Sequence, residues 1–138
     1  MKSSSPESAR AKSAPIVRRA VLSALLWMGL LAAPTAASAA ELIMFESDTC
    51  EWCERFHSEV GPVYPNTAES KCAPLRRVDI HDPRPDDLAH IKGIVYTPTF
   101  VLIEEGHEVS RLTGYPGEDF FWSLLERDLK KLHHPCPE

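Results

Sequence analysis

Cys50-Glu51-Trp52-Cys53 is the segment of this chain whose residue types and spacing most directly suggest chemistry. Two cysteines three positions apart lie about one turn from each other on a helix, so their sulfurs can join and separate reversibly. The attacking species in thiol–disulfide exchange is a thiolate. A helix N-terminus favours it, because unpaired N–H groups and the positive end of the helix dipole gather there. The spacing therefore predicts a redox dithiol. Cys50, at the helix start, attacks; Cys53 returns to the mixed disulfide and releases the reduced product. Half of a zinc site is the competing reading. Its second ligand pair would have to come from Cys72, Cys136 and His133-His134, whose spacing matches no compact finger. Neither a metal nor a cofactor is expected.

The second informative stretch is Val95-Tyr96-Thr97-Pro98-Thr99-Phe100, about 45 residues beyond the cysteines. A proline directly before a central strand cannot donate a ladder hydrogen bond and needs a special reason to be there. A cis Thr97–Pro98 bond in a tight turn is one such reason. Trp52, between the two sulfurs, cannot easily belong to a core, so contact with a client is its expected role. His57 reads as a solvated helix residue and His133-His134 as an exposed tail.

The elements that must position these residues can be read from the pattern. Leu42-Ile43-Met44-Phe45 is a short apolar run that suits a buried strand, and Glu46-Ser47-Asp48-Thr49 is turn-forming. Residues 50–60 contain no Gly or Pro, and Phe56 and Val60 are four apart; a helix is predicted there, ending at Gly61-Pro62. Residues 63–71 read as one further helical turn. A second strand spans 75–80, followed by a break at His81-Asp82-Pro83-Arg84-Pro85. Asp86 or Asp87 caps a short helix carrying Leu88 and Ile91 and closed by Gly93. Thr99-Phe100-Val101-Leu102-Ile103 reads as a central strand covered on both faces. Residues 104–107 form a hairpin turn into an edge strand over 109–113. The last segment, 118–132, places Phe121, Leu124, Leu125, Leu129 and Leu132 on one helical face. The expected class is α/β: a central mixed β-sheet with helices on both faces.

Charge and composition divide the 138 residues in two. Residues 1–39 hold five basic residues and one acid, whereas residues 40–138 hold 10 basic and 19 acidic residues. An acidic domain is a poor partner for a phosphate backbone, so nucleic-acid binding is excluded as a function class. The first segment contains a 14-residue apolar run over 20–33, too short to span a membrane but suited to a secretory leader. Ala37-Ser38-Ala39 offers small residues for cleavage after Ala39, with Ala40 as the one-residue alternative. The expected organisation is a signal peptide over 1–39 and one domain over 40–138. An uncleaved anchor is the competing reading, and Arg18-Arg19 leaves the export route open.

Taken together, the C-x-x-C helix, Val78-Asp79-Ile80, the Thr97-Pro98-Thr99-Phe100 turn, Gly106 and Gly114 resemble the thioredoxin superfamily over nearly all of residues 41–132. Within it, the chain is similar to the small exported thioredoxins of the bacterial sulfur-oxidation (Sox) system, the SoxS-like group. The resemblance implies a thioredoxin-like fold, with Cys50 as nucleophile and Cys53 as resolving thiol. It also implies that Thr97 and Pro98 lie against the sulfurs and offer backbone groups to an extended substrate. Three positions depart from ordinary thioredoxin. Glu51-Trp52 replaces Gly-Pro between the cysteines, Thr49 replaces a Trp, and Met44 stands where a buried acid is expected. Glu46, four residues before Cys50, is the candidate substitute for that acid. These departures imply a restricted set of clients. An exported reductant needs electrons from across the membrane; by resemblance a membrane protein of the CcdA/DsbD type supplies them, and periplasmic disulfide proteins, sulfur-oxidation components among them, are the clients.

Cys72 and Cys136 make the cysteine count even, and an exported location permits disulfides. Three readings stay open: a bridge tying the C-terminal tail to the loop after the first helix, two separate thiols, or Cys136 as a flexible relay. Three function classes also remain: a protein-disulfide reductase, an oxidase or isomerase of the same fold, and a non-catalytic binding module. Intact Cys50 and Cys53 argue against the last.

Overall fold

The computed structural model describes residues 40–136; the segment read above as a signal peptide lies outside them. The elements run β1 (Ala40–Glu46), α1 (Glu51–Glu59), a 3₁₀ turn (Tyr64–Asn66), α2 (Ala68–Cys72), β2 (Leu75–Asp79), a second 3₁₀ turn (Asp86–Leu88), β3 (Thr99–Glu104), β4 (His107–Thr113) and α3 (Glu118–Leu129). The four strands form one mixed sheet in the order β2-β1-β3-β4. β1 pairs parallel with β2, and β3 pairs antiparallel with both β1 and β4.

This order puts the two most apolar strands in the centre. Every residue of β3 is buried, as a strand with neighbours on both sides and cover on both faces requires. β1 alternates between two cores. Leu42 and Met44 face α1 and α3, together with Phe56, Tyr64, Phe100, Leu102 and Phe121. Ile43 and Phe45 face the other side, with Val78, Leu88, Ile91, Val101 and Ile103. Helical cover on this second face is the single turn at Asp86–Leu88, shorter than the helix expected up to Gly93. Pro85 precedes this turn, and the left-handed Gly93, at φ 71°, marks the end of the segment that follows it.

Phe56 anchors α1. Its ring lies 4.9 Å from that of Phe100, 5.1 Å from Phe121 and 5.6 Å from Tyr115, all tilted or edge-on. Past the end of α1 the Gly61 N–H donates to the Phe56 carbonyl at 3.0 Å, a close approach that only glycine allows because a Cβ there would sit 2.8 Å from the His57 carbonyl oxygen, and Pro62 follows. The β3–β4 hairpin turns on Glu105 and Gly106, at φ 50° and 80°, the two-residue left-handed loop that matches strand twist.

The sequence places Glu104 in that hairpin turn, yet the structure makes it the last residue of β3 and leaves it 4% exposed. The C-terminal tail accounts for this. Glu104 Oε2 accepts the backbone N–H of His133 at 2.9 Å, and Oε1 accepts that of His134 at 2.9 Å. The two ring Nδ1 atoms donate to the same oxygens at 2.9 and 3.1 Å. The imidazoles are exposed, as expected of a tail, but the backbone beneath them is held. Beyond the clamp, Cys136 pairs with Cys72, so of the three readings left open the structure has the bridge.

The His133 and His134 amides, aided by the rings, hold the Glu104 carboxyl well below its usual 4.5, at about 2. A carboxylate lowered in this way stabilises the docked tail fully above pH 4.5 and loses that effect as pH falls towards about 2. Hydrogen-exchange protection of the His133 and His134 amides should follow that window. Protection that survives unchanged below it would remove the carboxylate as the anchor.

Candidate active site

Cys50 is the N-cap of α1. Its backbone is extended (φ −92°, ψ 100°), its own N–H donates to the Ser47 carbonyl at 3.1 Å, and its sulfur accepts the Cys53 N–H at 3.0 Å. The sulfur thus occupies the place that a Ser or Asp oxygen takes in other helices, where one of the free first-turn donors meets it. Cys53 returns to it one turn later, and the two are joined as a disulfide with Cα atoms 5.2 Å apart. Both residues are largely buried, Cys50 at 7% and Cys53 at 2% exposure. The difference favours Cys50 as the sulfur a partner meets first.

Thr97–Pro98 is a cis peptide bond, and Pro98 is buried at the entrance to β3. The turn is tied in from three directions. The Pro98 carbonyl accepts the Gly114 N–H at 2.7 Å, Thr99 Oγ1 donates to the Tyr96 carbonyl at 2.7 Å, and Thr97 Oγ1 lies 3.3 Å from Ser47 Oγ. The last contact joins the proline turn to the loop immediately before Cys50, so the two distant sequence segments meet at one end of the sheet. Around them, Trp52 is 51% exposed and Tyr96 70%. The Arg55 guanidinium sits 5.7 Å from the centre of the Trp52 ring, near enough for a cation–π contact.

Met44 is fully buried beneath α1 and offers no proton carrier. Glu46, two residues on and therefore on the same face of β1, does turn towards α1. Its carboxylate accepts from His57 Nε2 and, at 2.7 Å, from Arg77 Nε on β2. This cluster was only half visible in the sequence. His57 follows Cys53 by four positions and shares its helix face, which was the available signal; the partner on β1 and the cation on β2 are supplied by strand pairing alone. Farther along α1, Glu59 is held below the usual carboxylate range, first by the Tyr115 hydroxyl at 2.7 Å and then by Arg55. Among the described residues no group of three or more His, Cys, Asp or Glu could hold a metal ion.

A mixed sheet presenting a C-x-x-C pair at a helix N-terminus, against a cis-proline turn, defines a dithiol redox protein. The chain belongs to the thioredoxin-like family, whose domain profile matches residues 32–127. Its structure is similar to that of the periplasmic thioredoxin SoxS from Paracoccus pantotrophus in its reduced form, with 43% identity and a TM-score of 0.63. That match covers 67% of this chain and 97% of the other. A thioredoxin variant from Halobacterium salinarum is 27% identical, with a TM-score of 0.50 over 67% of this chain and 76% of its own. The thioredoxin of Malassezia sympodialis, at 20% identity and a TM-score of 0.51 over 67% and 76%, shares the fold. No curated protein sequence matches the chain significantly.

Proposed function

We propose that this protein is an exported thiol–disulfide reductase that keeps periplasmic partner proteins reduced through Cys50 and Cys53. The observation that carries the reading is the Cys50 sulfur capping α1, with Cys53 one turn behind it. In the reduced protein the Cys50 thiolate attacks one sulfur of a client disulfide. A Cys50–client bond forms, and the other client sulfur leaves as a thiolate that takes up a proton. Cys53 then loses its proton and attacks the Cys50 sulfur. The Cys50–Cys53 disulfide forms, and the client's second thiol is released. Two electrons have passed to the client. A membrane donor of the CcdA/DsbD type returns them by the same chemistry.

Trp52, Thr97 and Pro98 are assigned to the client. Trp52 supplies exposed apolar area next to the nucleophile, and the turn at Thr97-Pro98 offers backbone groups to an extended segment. Similarity to a periplasmic SoxS supports an exported location and sulfur-oxidation proteins as clients.

The direction of exchange rests on charge. Glu51 and Glu54 both lie in the first turn of α1, where carboxylates oppose a second negative charge on Cys50. A less stabilised thiolate means a less stabilised reduced form, and strong oxidants depend on that form being stable. Equilibration of Cys50–Cys53 with glutathione should therefore place its potential near that of thioredoxin, about −270 mV. A value close to about −120 mV would reassign the protein to oxidase.

A further inference from the structure

The second disulfide is built asymmetrically. Cys72, the last residue of α2, is buried, whereas Cys136 is exposed on the tail. Their Cα atoms are 4.7 Å apart. A groove of about 500 Å³, open to solvent and lined in part by Ala68, Leu129, Leu132 and Pro135, runs up to Cys136. The tail that carries Cys136 has a second attachment which does not involve sulfur, the four hydrogen bonds from His133 and His134 to Glu104. Cys136 follows the clamped His134 by two residues, a reach of at most about 7 Å. Opening the disulfide therefore leaves Cys136 close to Cys72.

We propose that Cys136 is a second thiol–disulfide exchange site, reached by low-molecular-weight thiols and disulfides, with Cys72 as its resolving partner and Glu104 as the residue that positions the pair. When a small disulfide meets the reduced pair, the Cys136 thiolate attacks one of its sulfurs. A mixed disulfide forms on Cys136 and one small thiol leaves. Cys72 then gives up its proton and attacks the Cys136 sulfur, which forms the Cys72–Cys136 bond and expels the second small thiol. One small disulfide has become two thiols, and the protein dithiol has become a disulfide. The reverse sequence begins with a small thiolate attacking Cys136, because burial keeps it from Cys72. Four cysteines allow three pairings. The clamp selects the one that leaves Cys50 and Cys53 to each other, since it raises the effective concentration of Cys136 at Cys72 above that at any other thiol.

The test uses the exported protein carrying Cys50→Ser and Cys53→Ser, so its outcome is independent of the activity proposed above. This protein is equilibrated with mixtures of reduced and oxidised glutathione, quenched in acid and mapped by mass spectrometry. With Cys72 also replaced by Ser, glutathione should accumulate on Cys136. With the pair intact the adduct should be a minor species, because Cys72 resolves it. Glu104→Ala should lower the effective concentration of the pair about tenfold or more and raise the adduct in step, since the tail is then free. Glutathione on Cys72, or on neither residue, would overturn the exchange site. An effective concentration unchanged in Glu104→Ala would overturn the positioning role. Should that variant fail to fold, Glu104→Gln, which keeps one acceptor oxygen, must give an intermediate value, and equality with the parent would count against the clamp.

Discussion

Cys50→Ser should abolish disulfide reduction, lowering the rate by on the order of 10³-fold or more, because the remaining thiol of the site, Cys53, is buried at 2% exposure behind it. The fold should survive. Serine is a better helix N-cap than cysteine, so α1 keeps its first-turn partner at the position where the sulfur now accepts the Cys53 N–H. Cys53→Ser should fail differently. The first step proceeds, resolution does not, and clients accumulate as mixed disulfides on Cys50. The contrast is the diagnostic part of the experiment: two conservative changes three residues apart, one yielding no complex and the other a trapped one. Clients trapped on Cys53 in the Cys50→Ser protein would invert the assignment of the two sulfurs. Clients recovered in both variants without any covalent bond would favour a binding module.

Phe56→Ala should be the most damaging single change to stability, at about 3–5 kcal/mol. The side chain is fully buried and meets the rings of Phe100, Phe121 and Tyr115, one each from β3, α3 and the loop before α3. Its removal empties the point where α1, the sheet and α3 converge, and the surrounding rings are too constrained by their own neighbours to close the space. A domain of this size is stable by roughly 5–15 kcal/mol, so the loss is a large fraction of the whole. The urea midpoint should fall accordingly with little change in slope. A loss under about 1 kcal/mol would mean that α1 is held chiefly by other contacts, against the ring geometry on which the prediction rests.

The active-site pair was legible in the sequence because its information is local. The C-x-x-C spacing, the turn-forming residues before it and the uninterrupted run to Gly61 together specify a helix start, and a helix start is what a thiolate needs. Pro98 was legible for a related reason: a residue without an N–H stands out where a central strand begins. The fully buried β3 and the edge position of β4 likewise followed from hydrophobic runs and turn residues, whereas the strand order β2-β1-β3-β4 is given by the pairing itself.

Other features are properties of pairs brought together over long separations, and no local pattern encodes them. Glu46 reads as a turn residue until the parallel pairing of β1 with β2 brings Arg77 beside it and the packing of α1 brings His57. Glu104 follows four apolar residues and precedes a second Glu and a Gly, a context that local propensity assigns to a solvated turn. It is buried because two backbone amides 29 and 30 residues later satisfy its charge. The pairing of Cys72 with Cys136 likewise joins residues 64 positions apart in the chain. A buried charge is tolerated only where its partners converge in space, and that convergence was decided by tertiary structure; the chemistry of Cys50 and Cys53 was written in four consecutive residues.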